Sequence, residues 1–66
     1  MRVTVNDEAR ETASPTLAAL LSELGVAHEP AVAAAVDGQV IPRSRWDAFT
    51  LAEGAQVLVI RAAQGG

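Results

Sequence analysis

The 66-residue chain contains no cysteine. Disulfides, thiol nucleophiles and thiolate metal sites are therefore excluded, and a domain this small without disulfides fits a reducing compartment. Lysine is missing too: the five basic residues are all arginine and lie scattered along the chain. With eight acidic residues the formal net charge is −3, the wrong sign for nucleic-acid binding, which favours a basic face. No apolar run is long enough to span a bilayer, and Met1–Asn6 turns polar too soon for the apolar segment of a secretory signal. The expectation is a soluble cytoplasmic protein with no nucleic-acid or membrane partner.

Half of the residues are apolar, enough for one compact domain. A chain of this size buries only roughly 60% of its unfolded surface, which leaves little room for an enclosed active site. A small-molecule enzyme is not expected.

The apolar pattern divides the chain into short elements. Met1, Val3 and Val5 alternate with polar residues, as in a strand with one buried face. Asn6-Asp7-Glu8-Ala9 has turn chemistry, and Arg10–Ala13 is predicted to return as a second strand. Ser14-Pro15 reads as the cap and first position of a helix. Leu17, Leu20, Leu21 and Leu24 follow as one apolar stripe, and Gly25 stands where a left-handed terminating residue belongs. Val32–Val36 and Gln39–Ile41 flank the hairpin dipeptide Asp37-Gly38, and Pro42 stops the second of them. Arg43–Phe49 reads as irregular or a single helical turn, and Gln56–Arg61 as the most apolar strand. The predicted architecture is α+β: a mixed sheet of four to five strands with one main helix across one face, and the first and last strands paired at its centre.

Few side chains suggest chemistry. His28 is the single histidine, beside Glu29 in a loop; without a cysteine or a spaced second ligand it makes a poor metal site. The acidic residues form no convincing pair for general acid–base work. The last strand says more. Val57, Leu58, Val59 and Ile60 are all apolar, yet one helix covers only one face of a sheet. Either the two valines or Leu58 and Ile60 must face away from it, leaving a binding surface or a patch covered by loops. Trp46 is open to two readings, a core residue clamping its loop or an interface anchor.

The chain closes on Ala62-Ala63-Gln64-Gly65-Gly66. Fully extended, this segment reaches roughly 13 Å beyond the strand, and glycine permits close approach to another surface. Residue chemistry alone leaves fraying and threading into a partner equally open.

Val36-Asp37-Gly38-Gln39-Val40-Ile41-Pro42-Arg43-Ser44-Arg45-Trp46, then Leu51–Val57, then Gly65-Gly66 give the chain a family likeness along its whole length. It resembles the ThiS sulfur carriers of thiamine biosynthesis, ubiquitin-like β-grasp proteins that end in Gly-Gly. Asp37 stands where asparagine is common, Ala55 where aspartate is common, and Gln64 where a smaller residue is usual. The resemblance implies a domain over residues 1–63 and a flexible tail over 64–66. It also implies a cycle on the Gly66 carboxylate. A ThiF-like adenylyltransferase would join that carboxylate to AMP from ATP. Sulfur from a persulfide donor, supplied indirectly by a cysteine desulfurase, would then leave a thiocarboxylate, and a ThiG-like thiazole synthase would accept it. On this reading the chain is a carrier and not an enzyme, binds no cofactor or metal, and has no catalytic residue. Gln64 and Gly65 would thread into partner active sites, with Leu58 and Ile60 on the partner-binding face and Val57 and Val59 toward the helix. Carriers for molybdopterin or cysteine synthesis share such a tail. A ubiquitin-like protein modifier is the alternative from another class, and an interaction domain with an idle tail is a third.

Overall fold

A computed structural model describes residues 1–61; the expected tail residues Gln64, Gly65 and Gly66, and with them the predicted boundary at residue 63, lie outside the described residues. Strands β1 (Arg2–Val5) and β2 (Glu8–Glu11) form a hairpin, followed by helix α1 (Leu17–Glu23). A second hairpin, β3 (Val32–Val36) and β4 (Gln39–Ile41), leads through a 3-10 turn at Arg43–Arg45 to the last strand, β5 (Gln56–Arg61). The five strands make one sheet in the order β2-β1-β5-β3-β4. β1 and β5 run parallel, and the other neighbours are antiparallel. The mixed sheet with one helix is the predicted architecture, with β5 itself at the centre.

The helix packs its leucines on the sheet. Leu17, Leu20 and Leu21 are fully buried together with Val3, and Val32, Ala34, Val36, Ile41 and Val57 complete the floor from the sheet. Trp46 belongs to this core: it is buried, and its indole Nε1–H donates to the Ile41 carbonyl at 2.9 Å. The Arg43 guanidinium lies 4.4 Å from the centre of its ring. Of the two readings open for Trp46, the structural one holds.

Two boundaries differ from the sequence expectation. β2 starts two residues earlier, because Asn6 and Asp7 alone make the turn, with φ of 50° and 69°. Those angles suit the two-residue hairpin whose twist matches the strands, and asparagine and aspartate tolerate them. The helix is capped by Thr16, whose Oγ1 accepts the Ala19 N–H at 3.2 Å, and not by Ser14. Residues before the cap are used differently: the Pro15 carbonyl accepts the Leu51 N–H, and Thr16 bridges to Thr50. Gly25 ends the helix at φ +80°, as its position predicted.

Glu23 ties the helix to β2. Its Oε1 accepts the hydroxyls of Thr12 and Ser14 at 2.7 and 2.9 Å, and Oε2 accepts Arg10 Nε–H at 3.1 Å. The two hydroxyls, and then Arg10, hold its carboxyl below the ordinary glutamate value of 4.5. A depressed folded pKa contributes stability that is present above the unfolded value and lost as pH falls through it toward the folded value. We therefore expect urea midpoints of wild type and Glu23→Gln to converge on acidification. The difference between the two is largest at neutral pH and shrinks as the pH falls below the ordinary glutamate value of 4.5.

Candidate functional site

The outer face of the sheet, opposite the helix, is apolar where β5, β3 and β4 meet. Leu58 and Ile60 are 48% and 49% exposed, whereas Val57 is buried and Val59 half-buried. Strand alternation therefore turns the two valines to the helix and the larger pair outward. Register places Ala35 between Leu58 and Val40, and Ala33 beside Ile60. Val40 is 68% exposed, the most open large apolar side chain on the chain's described surface. Ala35 is buried although it faces away from the core, because it sits between those larger neighbours. The outward residues of these three strands, Ala33, Ala35, Val40, Gln56, Leu58 and Ile60, carry no charge. Beside them a shallow hollow of about 360 Å³ is lined in part by Thr4, Asn6, Gln56 and Leu58. Such a neutral, apolar and slightly concave surface suits a protein partner.

Both hairpin turns grip β5 by side-chain oxygens. Asn6 Oδ1 accepts the Val59 N–H at 2.8 Å, and Asp37 Oδ1 accepts the Gln56 N–H at 2.9 Å. Both turn residues have positive φ, which aims a short side chain back along the hairpin. An asparagine at position 37 offers an equivalent oxygen, so the departure to Asp37 preserves this bond. The sequence reading missed both contacts. Its only clue was the pair of Asx residues at turn positions, which is shared by turns that bond nothing.

The end of β5 is anchored as well. Arg61 donates from Nε to Glu29 Oε1 at 3.1 Å and from its terminal nitrogen to Oε2. Glu29 stands in the α1–β3 connection, which Arg43 holds by donating to the Ala27 and Glu29 carbonyls at 2.9 and 2.6 Å. The Pro42-Arg43…Trp46 motif thus braces both the core and the loop that steadies the last described residue. His28 is exposed in that loop. Among the described residues no group of three histidine, cysteine or acidic side chains could hold a metal. No helix there is long and apolar enough to cross a membrane.

Of the predicted site residues, Leu58 and Ile60 lie together on the open face, and Gln64, Gly65 and Gly66 fall outside the described residues. The described part offers a surface and a firmly held strand end. A sequence search of curated proteins gave no match. Among solved structures, the crystal structure of a thiamine biosynthesis protein (ThiS) from Geobacter metallireducens aligns with TM-score 0.84 and 30% identity over 100% of both chains. A solution NMR structure of a thiamine biosynthesis protein from the same organism aligns with TM-score 0.80 and 30% identity, covering 100% of this chain and 88% of the other. The profile of the ThiS family matches residues 3–66. With the β-grasp fold, the Pro42–Trp46 brace and a family match over nearly the whole chain, the protein belongs to the ThiS family.

Proposed function

We propose that this chain is a sulfur carrier of thiamine biosynthesis, working in the cytoplasm, and that the Gly66 carboxylate is the group that carries sulfur. The observation that supports this most is the family match, which runs through Gly66. A strand end secured at Arg61 five positions earlier adds to it.

An α-carboxyl titrates near 3.5 and is an anion at neutral pH, so a sulfur nucleophile does not attack it directly. In the first step a carboxylate oxygen of Gly66 attacks the α-phosphorus of ATP on a ThiF-like adenylyltransferase, and pyrophosphate leaves. The acyl adenylate now has AMP as leaving group. A persulfide sulfur, supplied through a cysteine desulfurase or another donor, attacks the carbonyl carbon and displaces AMP. A second thiol then cleaves the sulfur–sulfur bond, giving the thiocarboxylate and a disulfide. A ThiG-like thiazole synthase takes the sulfur from Gly66 for the thiazole ring. Every catalytic side chain in this cycle belongs to a partner. The carrier contributes the terminus, the slender Gln64-Gly65 lead, and the Leu58–Ile60 face on which the enzymes dock.

Adenylation is read by ATP–pyrophosphate exchange with the adenylyltransferase. The unaltered chain is expected to support exchange. Leu58→Glu combined with Ile60→Glu, which places two charges where an apolar contact must form, is expected to slow it roughly thirtyfold or more at limiting carrier. The urea midpoint should move little, since both side chains are already exposed. No exchange with the unaltered chain sinks the carrier reading; exchange undiminished by the double substitution removes the patch from it.

A further inference from the structure

β5 outruns the strand beside it. β1 pairs with it only at Thr4↔Gln56 and Val5↔Val57, whereas β3 accompanies it from Val57 to Arg61. Backbone groups of a strand address its two neighbours alternately. The Ala55 and Val57 carbonyls accept the Thr4 and Asn6 N–H groups, and the Val59 N–H donates to Asn6 Oδ1. Odd-numbered residues of β5 therefore face the β1 side. The next groups in that series are the Val59 carbonyl and the Arg61 N–H. By then β1 has turned away through Asn6 and Asp7, and among the described residues no strand pairs with this stretch.

The other two edges of the sheet are guarded against further pairing. β2 carries Glu8, Arg10 and Glu11, and β4 is three residues long and ends at Pro42. The edge at Val59–Arg61 has no such guard. Its one charged side chain, Arg61, is tied to Glu29, which lies on the opposite, β3 side because the Val32 N–H at the start of β3 donates to the Glu29 carbonyl. Asn6 fills the first vacant pairing position with a side chain and leaves the following one open.

We propose that this edge takes up an extended backbone segment of the adenylyltransferase, adding a short strand beside the end of β5 through bonds to the Val59 carbonyl and the Arg61 N–H. The inference rests on the carrier reading and deepens it. The open edge runs directly into residues 62–66, so an enzyme acting on Gly66 lies within roughly 17 Å of Arg61 at full extension of five residues. Pairing there directs the chain's end into the enzyme while Leu58 and Ile60 bury against it. A second copy of the chain on the same edge would instead obstruct that approach.

A chain of 66 residues is within reach of chemical synthesis by ligation, which allows the backbone itself to be altered. Replacing the Arg61 amide by an ester removes the N–H donor and keeps every side chain; N-methylation at Arg61 removes the donor and also blocks pairing sterically. N-methylation leaves the β3 ladder untouched, so its thermal unfolding should match that of the all-amide chain. The ester also weakens the Ile60 carbonyl, which faces β3, so a slightly lower unfolding midpoint is expected for it. Both variants are assayed well below their midpoints. At limiting carrier, kcat/KM for ATP–pyrophosphate exchange should fall roughly tenfold for the ester and further for the N-methyl chain, the loss expected for a missing bond in a desolvated contact. Hydrogen exchange at the Arg61 amide of the unaltered chain should slow when the enzyme is added. Exchange kinetics within twofold of the all-amide chain for both variants overturn the inference and leave the carrier reading standing. So does Arg61 protection that grows with carrier concentration in the absence of enzyme, the mark of a second copy on the edge. An all-amide chain that supports no pyrophosphate exchange at all overturns the carrier reading, and this inference with it.

Discussion

Deletion of Gly66 abolishes adenylation of the chain while its unfolding transition stays where it was. The two halves of this expected result have separate causes. The core runs from Val3 to Val57, with Val59 packed against it, so no buried contact described here depends on the last residue. The reacting group is another matter. Without Gly66 the terminal carboxylate retreats by about 3.3 Å. Misplacement of a reacting atom by even about 1 Å costs on the order of a hundredfold in rate, and no described side chain substitutes for the lost group. Pyrophosphate exchange should therefore drop at least a hundredfold, and thiazole formation in the full system should cease. An interaction domain with an idle tail predicts no change at all. A protein modifier predicts Gly66 in isopeptide linkage to lysines of other proteins, which mass spectrometry of cellular conjugates would reveal.

Trp46→Ala is the substitution with the largest expected effect on the fold. Truncating a large buried aromatic side chain costs about 3 to 5 kcal/mol. Here it also leaves the Ile41 carbonyl without its indole donor and removes the ring under Arg43. Domains of this length have a total stability of roughly 3 to 10 kcal/mol, so the variant is expected to lose a large part of its stability and to unfold at a much lower urea concentration in circular dichroism. Trp46→Phe separates the contributions. It keeps most of the apolar volume and loses the hydrogen bond, so a folded protein about 1 to 3 kcal/mol less stable is expected from urea titration. If Trp46→Ala remained as stable as wild type, the tryptophan would not be the brace that its burial implies.

Much of this architecture is legible in the sequence because its signals are local. The leucine stripe from Leu17 to Leu24, Gly25 after it, and Asp37-Gly38 between two apolar runs each specify one element by short-range physics. Of the two boundary errors, the start of β2 turned on the local two-residue turn at Asn6-Asp7, whereas the helix cap was decided by distant residues. Ser14 is a good cap in isolation, but Glu23 engages its hydroxyl and Leu51 bonds the adjacent Pro15 carbonyl, so the cap moves to Thr16. Val40 belongs to the open patch only because β4 lies outside β3, a fact of topology that no pattern within Gln39–Ile41 carries. The same holds for the grip of Asn6 and Asp37 on β5 and for the Glu29–Arg61 pair, whose members are 32 positions apart. The site proposed at the chain's end is suggested in the sequence through family likeness alone, because glycine residues have no side chain by which a pattern could announce their chemistry.

The central claim is that sulfur is carried on Gly66. Intact-mass analysis of the chain after incubation with ATP, a ThiF-like adenylyltransferase and a persulfide donor tests it most directly. The account predicts replacement of a single oxygen by sulfur, located by fragmentation in the C-terminal residue and absent when ATP is withheld. A C-terminus that stays a plain carboxylate, under conditions where another carrier of the family is converted, would contradict it.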